Sequence, residues 1–350
     1  MATTQFTTVI ITRNRADALA LALPLHLSQS VLPRRILIVD SSDDPSVNQA
    51  TVAQLAPNSP VPILHQLSSP GTALQRNIAL DQVDTEVVFM PDDDSLLLEG
   101  AMAEMMRIYD LDTEGRIGGV CSRESATPPP GSLDVKPGIY RKRRFDHLKS
   151  QLGPRINRFE QRHAPDPLKL AAQQAYAGFP PPPFWMADND AVRVEWMTGF
   201  RMSFRTDLLR QIRFNERLGR YALYEDIDAC FGCVTRGYSL VGANRAGIYH
   251  HRAPERRDRG RVMGSILILN RAYVLCRNGF ASSPMRQRMQ RYAHFRLAQM
   301  ALLASRDEYE RQRFLGARAA AKGIPALFAA SPDTIDSVYL ELRESCLAQA

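Results

Sequence analysis

The sequence predicts an α/β protein built on a Rossmann-like, mostly parallel sheet flanked by helices, and three observations carry that reading. Short apolar runs alternate with helix-length amphipathic stretches over the first 122 residues, which implies βαβ units. The apolar run Glu86 to Met90 ends in three consecutive carboxylates, Asp92, Asp93 and Asp94, and open α/β sheets bind ligands at the carboxyl ends of their strands. The chain is 350 residues long and 45% hydrophobic, enough for the core of one large α/β domain or two smaller ones.

The elements follow from local pattern. Phe6 to Ile11 reads as a strand, Ala16 to Gln29 has helical spacing, and Arg35 to Val39 is a second strand closed by Asp40. A helix within Pro45 to Leu55, a strand near Val61 to Gln66 and a helix from about Gly71 to Leu80 come next. The strand before the triplet, a helix from about Leu97 to Tyr109 and a strand at Ile117 to Ser122 complete a nucleotide-binding half, 1–122. Residues 123–194 read as an insertion: Pro128 to Pro130 and Pro180 to Pro183 bracket a segment rich in Lys and Arg. Such an excursion beside a ligand edge is either a solvated surface or a flap over acceptor or membrane. Glu195 to Phe204 then reads as a strand, Thr206 to Ile212 and Glu225 to Arg236 as helices, and Ser239 to Val241 with Gly247 to Tyr249 as two short strands, giving a second half, 195–252. Residues 253–350 form a helical C-terminal region, in which Met263 to Cys276 is apolar on nearly every face and reads as a buried helix.

Composition narrows the classes. No apolar stretch approaches the roughly 20 residues that span a bilayer, and the N-terminus lacks the order of a signal peptide, so the expected location is the cytoplasm. The net charge of +7 comes almost wholly from arginine, with five lysines among 44 basic residues. That balance suits peripheral contact with anionic lipid at the inner face of the plasma membrane, or nucleotide phosphate. Nucleic acid is not expected as a partner, because no recognition motif or aromatic platform accompanies the charge. Five scattered cysteines read as reduced thiols, and Cys230-x-x-Cys233, inside a helical pattern with no second pair, reads as core packing.

Carboxylates set that close repel unless a cation joins them, and a hard divalent metal carrying phosphate is the natural candidate. Asp40 closes a neighbouring strand and Arg76-Asn77 follows on a helix, so ribose or base and phosphate contacts fall on the same edge. Neither glycine-rich phosphate motif follows the first strand, so a pyrophosphate there needs a metal. Further on, Glu225-Asp226-Ile227-Asp228 and His250-His251 offer a general base and one more metal ligand. The bland alternative is an acidic helix start with Asp228 in solvent and a histidine that packs or caps.

In this order the motifs resemble the family 2 glycosyltransferases of the GT-A fold. The matching stretches are Val9 to Arg15, Ile38 to Asp43, Gly71 with Arg76-Asn77, Phe89 to Asp94, Trp196 to Gly199, Tyr224 to Asp228, and Gly237-Tyr238 with Tyr249-His250, spanning roughly residues 6 to 252. The resemblance implies an inverting, metal-dependent transferase. It moves a sugar from a nucleoside-diphosphate sugar to an acceptor hydroxyl, on a lipid-linked or saccharide acceptor of cell-surface polysaccharide synthesis. It implies Asp226 as catalytic base, Thr12, Arg13, Arg15, Asp40, Arg76, Asp92 and Asp93 around the nucleotide sugar, Trp196, Gly199 and Glu225 toward the acceptor, and Asp94 with His250 on Mn²⁺ or Mg²⁺. Ile11, Arg13 and Gln75 depart from the family pattern, which leaves the nucleotide base open. A nucleotidyltransferase making a sugar nucleotide, or a non-catalytic transferase-like binding module, remain the alternatives. The donor sugar, the linkage and the oligomeric state are not legible.

Overall fold

The computed structural model describes residues 4–132, 161–253 and 260–348. The basic segment of the insertion, from Lys136 to Arg158, lies outside the described residues. The chain divides into two compact units, Met1–Gly138 with Gly178–Pro254, and Ile139–Ala177 with Glu255–Ala350.

The first unit is a helix-flanked sheet. Its elements run β1 (Phe6–Thr12), α1 (Ala16–Leu27), β2 (Ile36–Asp40), α2 (Ser46–Leu55), β3 (Ile63–Leu67), α3 (Thr72–Leu80), β4 (Val87–Met90), β5 (Ser95–Leu97), α4 (Ala101–Leu111) and β6 (Ile117–Glu124). Helix α5 (Pro167–Tyr176) belongs to the second unit, and the chain then returns with α6 (Phe184–Asp188), β7 (Ala191–Arg193), β8 (Met202–Arg205), α7 (Thr206–Ile212), α8 (Glu225–Val234) and β9 (Ser239–His250). The strand order is β3-β2-β1-β4-β8-β6-β9-β5, with β7 against β9. Six strands point one way, while β8, β5 and β7 run against them. The sheet is thus mostly parallel.

Strands β1, β2 and β4 are buried along their whole length, because helices cover both faces. Leu19 and Leu23 of α1 and Val52 of α2 pack on Ile10, Ile36 and Ile38. Met102, Met105 and Met106 of α4 fill the space over Phe89, Val120 and Val241. Strand β3 is half-exposed at the sheet edge.

Three boundaries differ from the sequence reading, each for a tertiary reason. Residues 195–204 do not form one strand: a 3-10 turn, Gly199–Arg201, precedes β8, and only Met202–Arg205 pairs with β4 and β6. The two short strands expected around 239–249 are one 12-residue strand, which keeps its ladder on β6 through a bulge. The stretch expected to start a helix at Leu97 first forms β5, and α4 begins after Gly100, whose φ of +73° suits glycine.

The second unit is helical among its described residues: α5, α9 (Gly260–Arg277), α10 (Ser283–Leu303), α11 (Glu308–Ala321), α12 (Ile324–Ala329) and α13 (Ile335–Ala348). Helix α9 is buried on most sides, as its composition predicts. It lies so close to α11 that a Cβ on Gly264 would overlap the Arg313 carbonyl, and one on Gly316 the Arg261 carbonyl. Two of its buried polar side chains are paired with α13: Tyr339 OH donates to Asn270 Oδ1 at 2.7 Å, and Tyr273 OH to Asp336 at 2.6 Å. Among the described residues no helix is long and apolar enough to cross a membrane.

Candidate active site

Sheet topology assembles the site. Thr12 and Asp40 are register partners at the carboxyl ends of β1 and β2, and Asp92 bridges Ile11 just beyond β4. The chain then turns into β5, whose Ser95 pairs with His250 at the end of β9. That antiparallel pair closes a separation of 155 residues and sets the histidine beside the triplet.

The three carboxylates point to different partners. Asp92 is half-buried and accepts a hydrogen bond from Arg76 Nη2 at 2.9 Å. Asp93 is buried, accepts from Thr12 Oγ1 at 2.7 Å and pairs with Arg15 Nη1 at 2.8 Å. Burial pushes its carboxyl up to about 7, against the opposing Arg15 charge and Thr12 bond. Asp94 is also buried; its Oδ2 accepts from Arg15 Nη2 at 2.5 Å and from the Ala253 N–H at 2.9 Å, and its Oδ1 faces His250 Nε2 at 3.4 Å. Burial alone would raise Asp94, but the His250, Arg15 and Ala253 contacts outweigh it and hold the group at about 2.

Ligand atoms of Asp92, Asp94 and His250 lie within 4.8 Å of one another, a grouping among the described residues that could hold a metal ion. Asp94 Oδ1 is a buried oxygen that meets His250 Nε2 only at 3.4 Å, so it keeps lone-pair capacity to offer a cation. Two carboxylates and one imidazole suit Mn²⁺ or Mg²⁺, so the residues fit the ion. Phe200, in the turn before β8, stacks on His250 with ring centroids 4.4 Å apart and planes 9° apart, fixing the ring orientation. Burial works to lower the His250 pKa, yet the bond and charge of Asp94 prevail and raise it. The adjacent His251 is outside the group and uses its backbone N–H on the Asp94 carbonyl, at 3.0 Å.

Arg76 ties the triplet to α8. Its guanidinium is buried, with Nη2 on Asp92 and Nη1 on Glu225 Oε1. Glu225 and Asp226 open α8, where the helix dipole favours negative charge. Asp226 Oδ2 accepts from the Gly199 N–H at 3.1 Å and Oδ1 from the Ile227 N–H at 2.8 Å. Burial raises its pKa, with Arg76 and the two N–H groups opposing. Gly199 is backbone alone for a reason of space: a Cβ there would lie 3.2 Å from Arg76 Nη2 and 3.7 Å from Asp92 Oδ1. Asp228 is buried, which removes the reading that left it in solvent. Trp196 is half-buried on the segment leading to Gly199.

The other sequence-chosen residues line the β1 and β2 ends. Asp40 is fully buried and saturated, accepting from the Ser42 N–H and hydroxyl at 2.8 and 2.5 Å, from Asn48 Nδ2 at 3.0 Å, and meeting His65 Nε2 at 3.1 Å. Arg13 pairs with Asp43 at 2.6 Å on the surface, and Asn14 and Asp43 exchange hydrogen bonds, so the loops after β1 and β2 are stapled together. Gln75, which sequence reading marked only as a departure, donates to the Thr12 and Val39 carbonyls at 3.1 and 2.8 Å and accepts from Ser41. Phe200 and Ala253 carried no signal at all, one being a single aromatic and the other acting through its backbone.

No family model matches the chain, and no curated protein does. Solved structures do. A mannosyltransferase from Pyrobaculum calidifontis, PcManGT, in complex with GDP-Man and Mn²⁺, aligns with 99% of this chain and 87% of its own, at 18% identity and a TM-score of 0.51. Residues 1–349 of S. aureus TarS in complex with UDP-GlcNAc align with 99% of this chain and 92% of that one, at 13% identity and a TM-score of 0.53. The same TarS piece with UDP aligns at 14% identity and a TM-score of 0.50 over the same shares. The chain therefore has the fold of GT-A glycosyltransferases.

Proposed function

We propose that the protein is an inverting glycosyltransferase that moves a sugar from a nucleoside-diphosphate sugar to an acceptor hydroxyl. The observation that carries this reading is one connected set of charges: the Asp92, Asp94 and His250 group, joined through Arg76 and Gly199 to Asp226. A metal site and a candidate base in one site are what displacement at an anomeric carbon needs.

In this reading Asp226 takes the proton of the acceptor hydroxyl. The oxygen attacks the anomeric carbon from the side opposite the diphosphate, the carbon–oxygen bond to phosphate breaks, and the nucleoside diphosphate leaves with the electron pair. Configuration inverts without a covalent intermediate. The raised pKa of Asp226 makes it a stronger base when ionised than an exposed carboxylate, and its two N–H partners hold it in one orientation. Asp92, Asp94 and His250 would hold Mn²⁺ or Mg²⁺, which when bound offsets the charge growing on the departing diphosphate. Thr12 and Arg13 lie at the nucleotide end, where the saturated Asp40 holds the β2 loop, while Trp196 and Glu225 face the acceptor. Glu225 Oε2, buried and without a hydrogen-bond partner, is an acceptor atom ready for a sugar hydroxyl. The acceptor in this reading is a saccharide or lipid-linked saccharide of cell-surface polysaccharide synthesis, reached from the membrane surface.

Asp226→Asn tests the assignment, because it preserves shape and removes the base. Transfer from a panel of nucleotide sugars should be lost, while binding of nucleoside diphosphate with Mn²⁺ persists. Near-normal turnover would remove Asp226 from the mechanism.

A further inference from the structure

Charge is divided between the two units far more sharply than the net +7 suggests. The first unit carries 19 Lys and Arg against 25 Asp and Glu, a formal −6; the second carries 25 against 12, a formal +13. An extended anionic surface is therefore drawn mainly to the second unit.

Within that unit α10 stands apart. Its 21 residues include Arg286, Arg288, Arg291, Arg296 and His294 and no acidic residue. Met285, Met289, Tyr292, Ala293 and Met300 are buried, so the helix is anchored by one face and its opposite face is open. Arg288, Arg291, His294, Ala298, Ala301 and Leu302 are exposed there, at the three- and four-residue spacing of a single helical stripe about 21 Å long. The stripe is basic at its start and apolar at its end, where Leu302 is 81% exposed.

The arginines on this stripe are unpaired, unlike several others on the surface. Elsewhere on the surface Arg34 pairs with Asp84, Arg116 with Glu114, Arg213 with Asp81 and Arg311 with Glu308. Among the described residues Arg286, Arg288 and Arg291 have no such partner. An exposed stripe that joins unpaired guanidinium groups to an apolar end matches an interface that is anionic on its surface and apolar just beneath. Nucleic acid offers the charge but no apolar layer, and the stripe carries no stacking aromatic.

We propose that the exposed face of α10 docks the protein on an anionic lipid bilayer, with Arg288 and Arg291 on headgroup phosphates and Leu302 at the acyl boundary. The proposal rests on this surface alone and needs neither donor nor acceptor. Sedimentation of the full chain with vesicles tests it apart from any transfer assay. The wild type should bind vesicles containing about one third phosphatidylglycerol at low salt, release them at high salt, and ignore vesicles of phosphatidylcholine alone. Arg288→Gln with Arg291→Gln should weaken partitioning about 30-fold, taking roughly fivefold for each arginine. Leu302→Ser should weaken it less and leave the salt dependence. Arg34→Gln, a paired exposed arginine of the first unit, should leave binding as it was. Each variant alters exposed side chains only, and an unchanged melting curve verifies its fold. Absence of binding to anionic vesicles, or a double variant that binds like the wild type, would overturn the proposal. So would duplex DNA or inorganic phosphate displacing the vesicles by binding the same stripe more tightly.

Discussion

The two units solve opposite problems. In the first, segments around the site sit in costly backbone conformations: Asn14, Ala222, Tyr224 and Arg252 have φ between 42° and 74°. They flank Arg15, Glu225 and His251, and each such residue stores about 1–3 kcal/mol. Helices α3 and α8, which carry Arg76 and Asp226, begin with no side-chain cap. Glu225 Oε2 is a buried carboxylate oxygen with no hydrogen-bond partner. In the second unit every described residue with positive φ is a glycine, and α5, α10 and α11 start at Asp166, Ser282 and Asp307, each accepting from the backbone of its own first turn. The difference teaches where each unit spends stability. One holds unfavourable charges and turns around the candidate site, and the other is built for packing and presents its charge outward.

The largest expected effect falls on the charged cluster. Asp226→Asn should lower transfer by about 10²–10⁴-fold, the usual range for a general base, with the melting temperature unchanged or raised because a strained buried charge is gone. Next is the ion. Addition of a nucleoside diphosphate with Mn²⁺ should raise the melting temperature, chelation should cancel the rise, and Asp94→Ala should abolish it; a rise that survives Asp94→Ala would place the metal elsewhere.

The second unit should break by packing instead. Gly316→Ala drives a Cβ into the Arg261 carbonyl, so α9 and α11 must separate, and unfolding by urea should show a loss of about 1–3 kcal/mol. An unperturbed variant would mean that the helices part freely.

The first unit has its own buried liability in His26. It is 1% exposed, and burial lowers its pKa to about 3, well below the ordinary 6.5. Between those values the unfolded chain takes up a proton that the folded chain refuses. The stability it permits is therefore complete above about pH 6.5 and is lost as pH falls toward 3. His26→Leu should flatten that part of the stability–pH curve, and a curve that keeps its slope would assign the acid sensitivity to other groups. Gly199→Ala should have the smallest effect. Arg76 must yield a few tenths of an ångström, so turnover should fall several-fold with little change in stability.

Much of this was legible in the chain. Alternating apolar runs located β1 to β4 and their helices, because strands buried on both faces need continuous apolar residues. The acidic triplet and the Glu225 to Asp228 cluster could be picked out because charges grouped beside apolar runs have no packing role. The boundaries around residues 199 and 243 were less legible, since pairing with β4 and β6 decides them, and that pairing is non-local.

By itself the sequence determined the α/β class, the chemical types of the candidate ligands and base, and the buried character of α9. Those properties follow from local periodicity and from the cost of burying charge. Only the tertiary structure decided that His250 rather than His251 joins Asp92 and Asp94, that Arg76 bridges Asp92 to Glu225, and that a side chain at position 199 would crowd Arg76. Each of these depends on which strands become neighbours and on distances of a few ångströms between residues far apart in the chain. No local pattern encodes such distances.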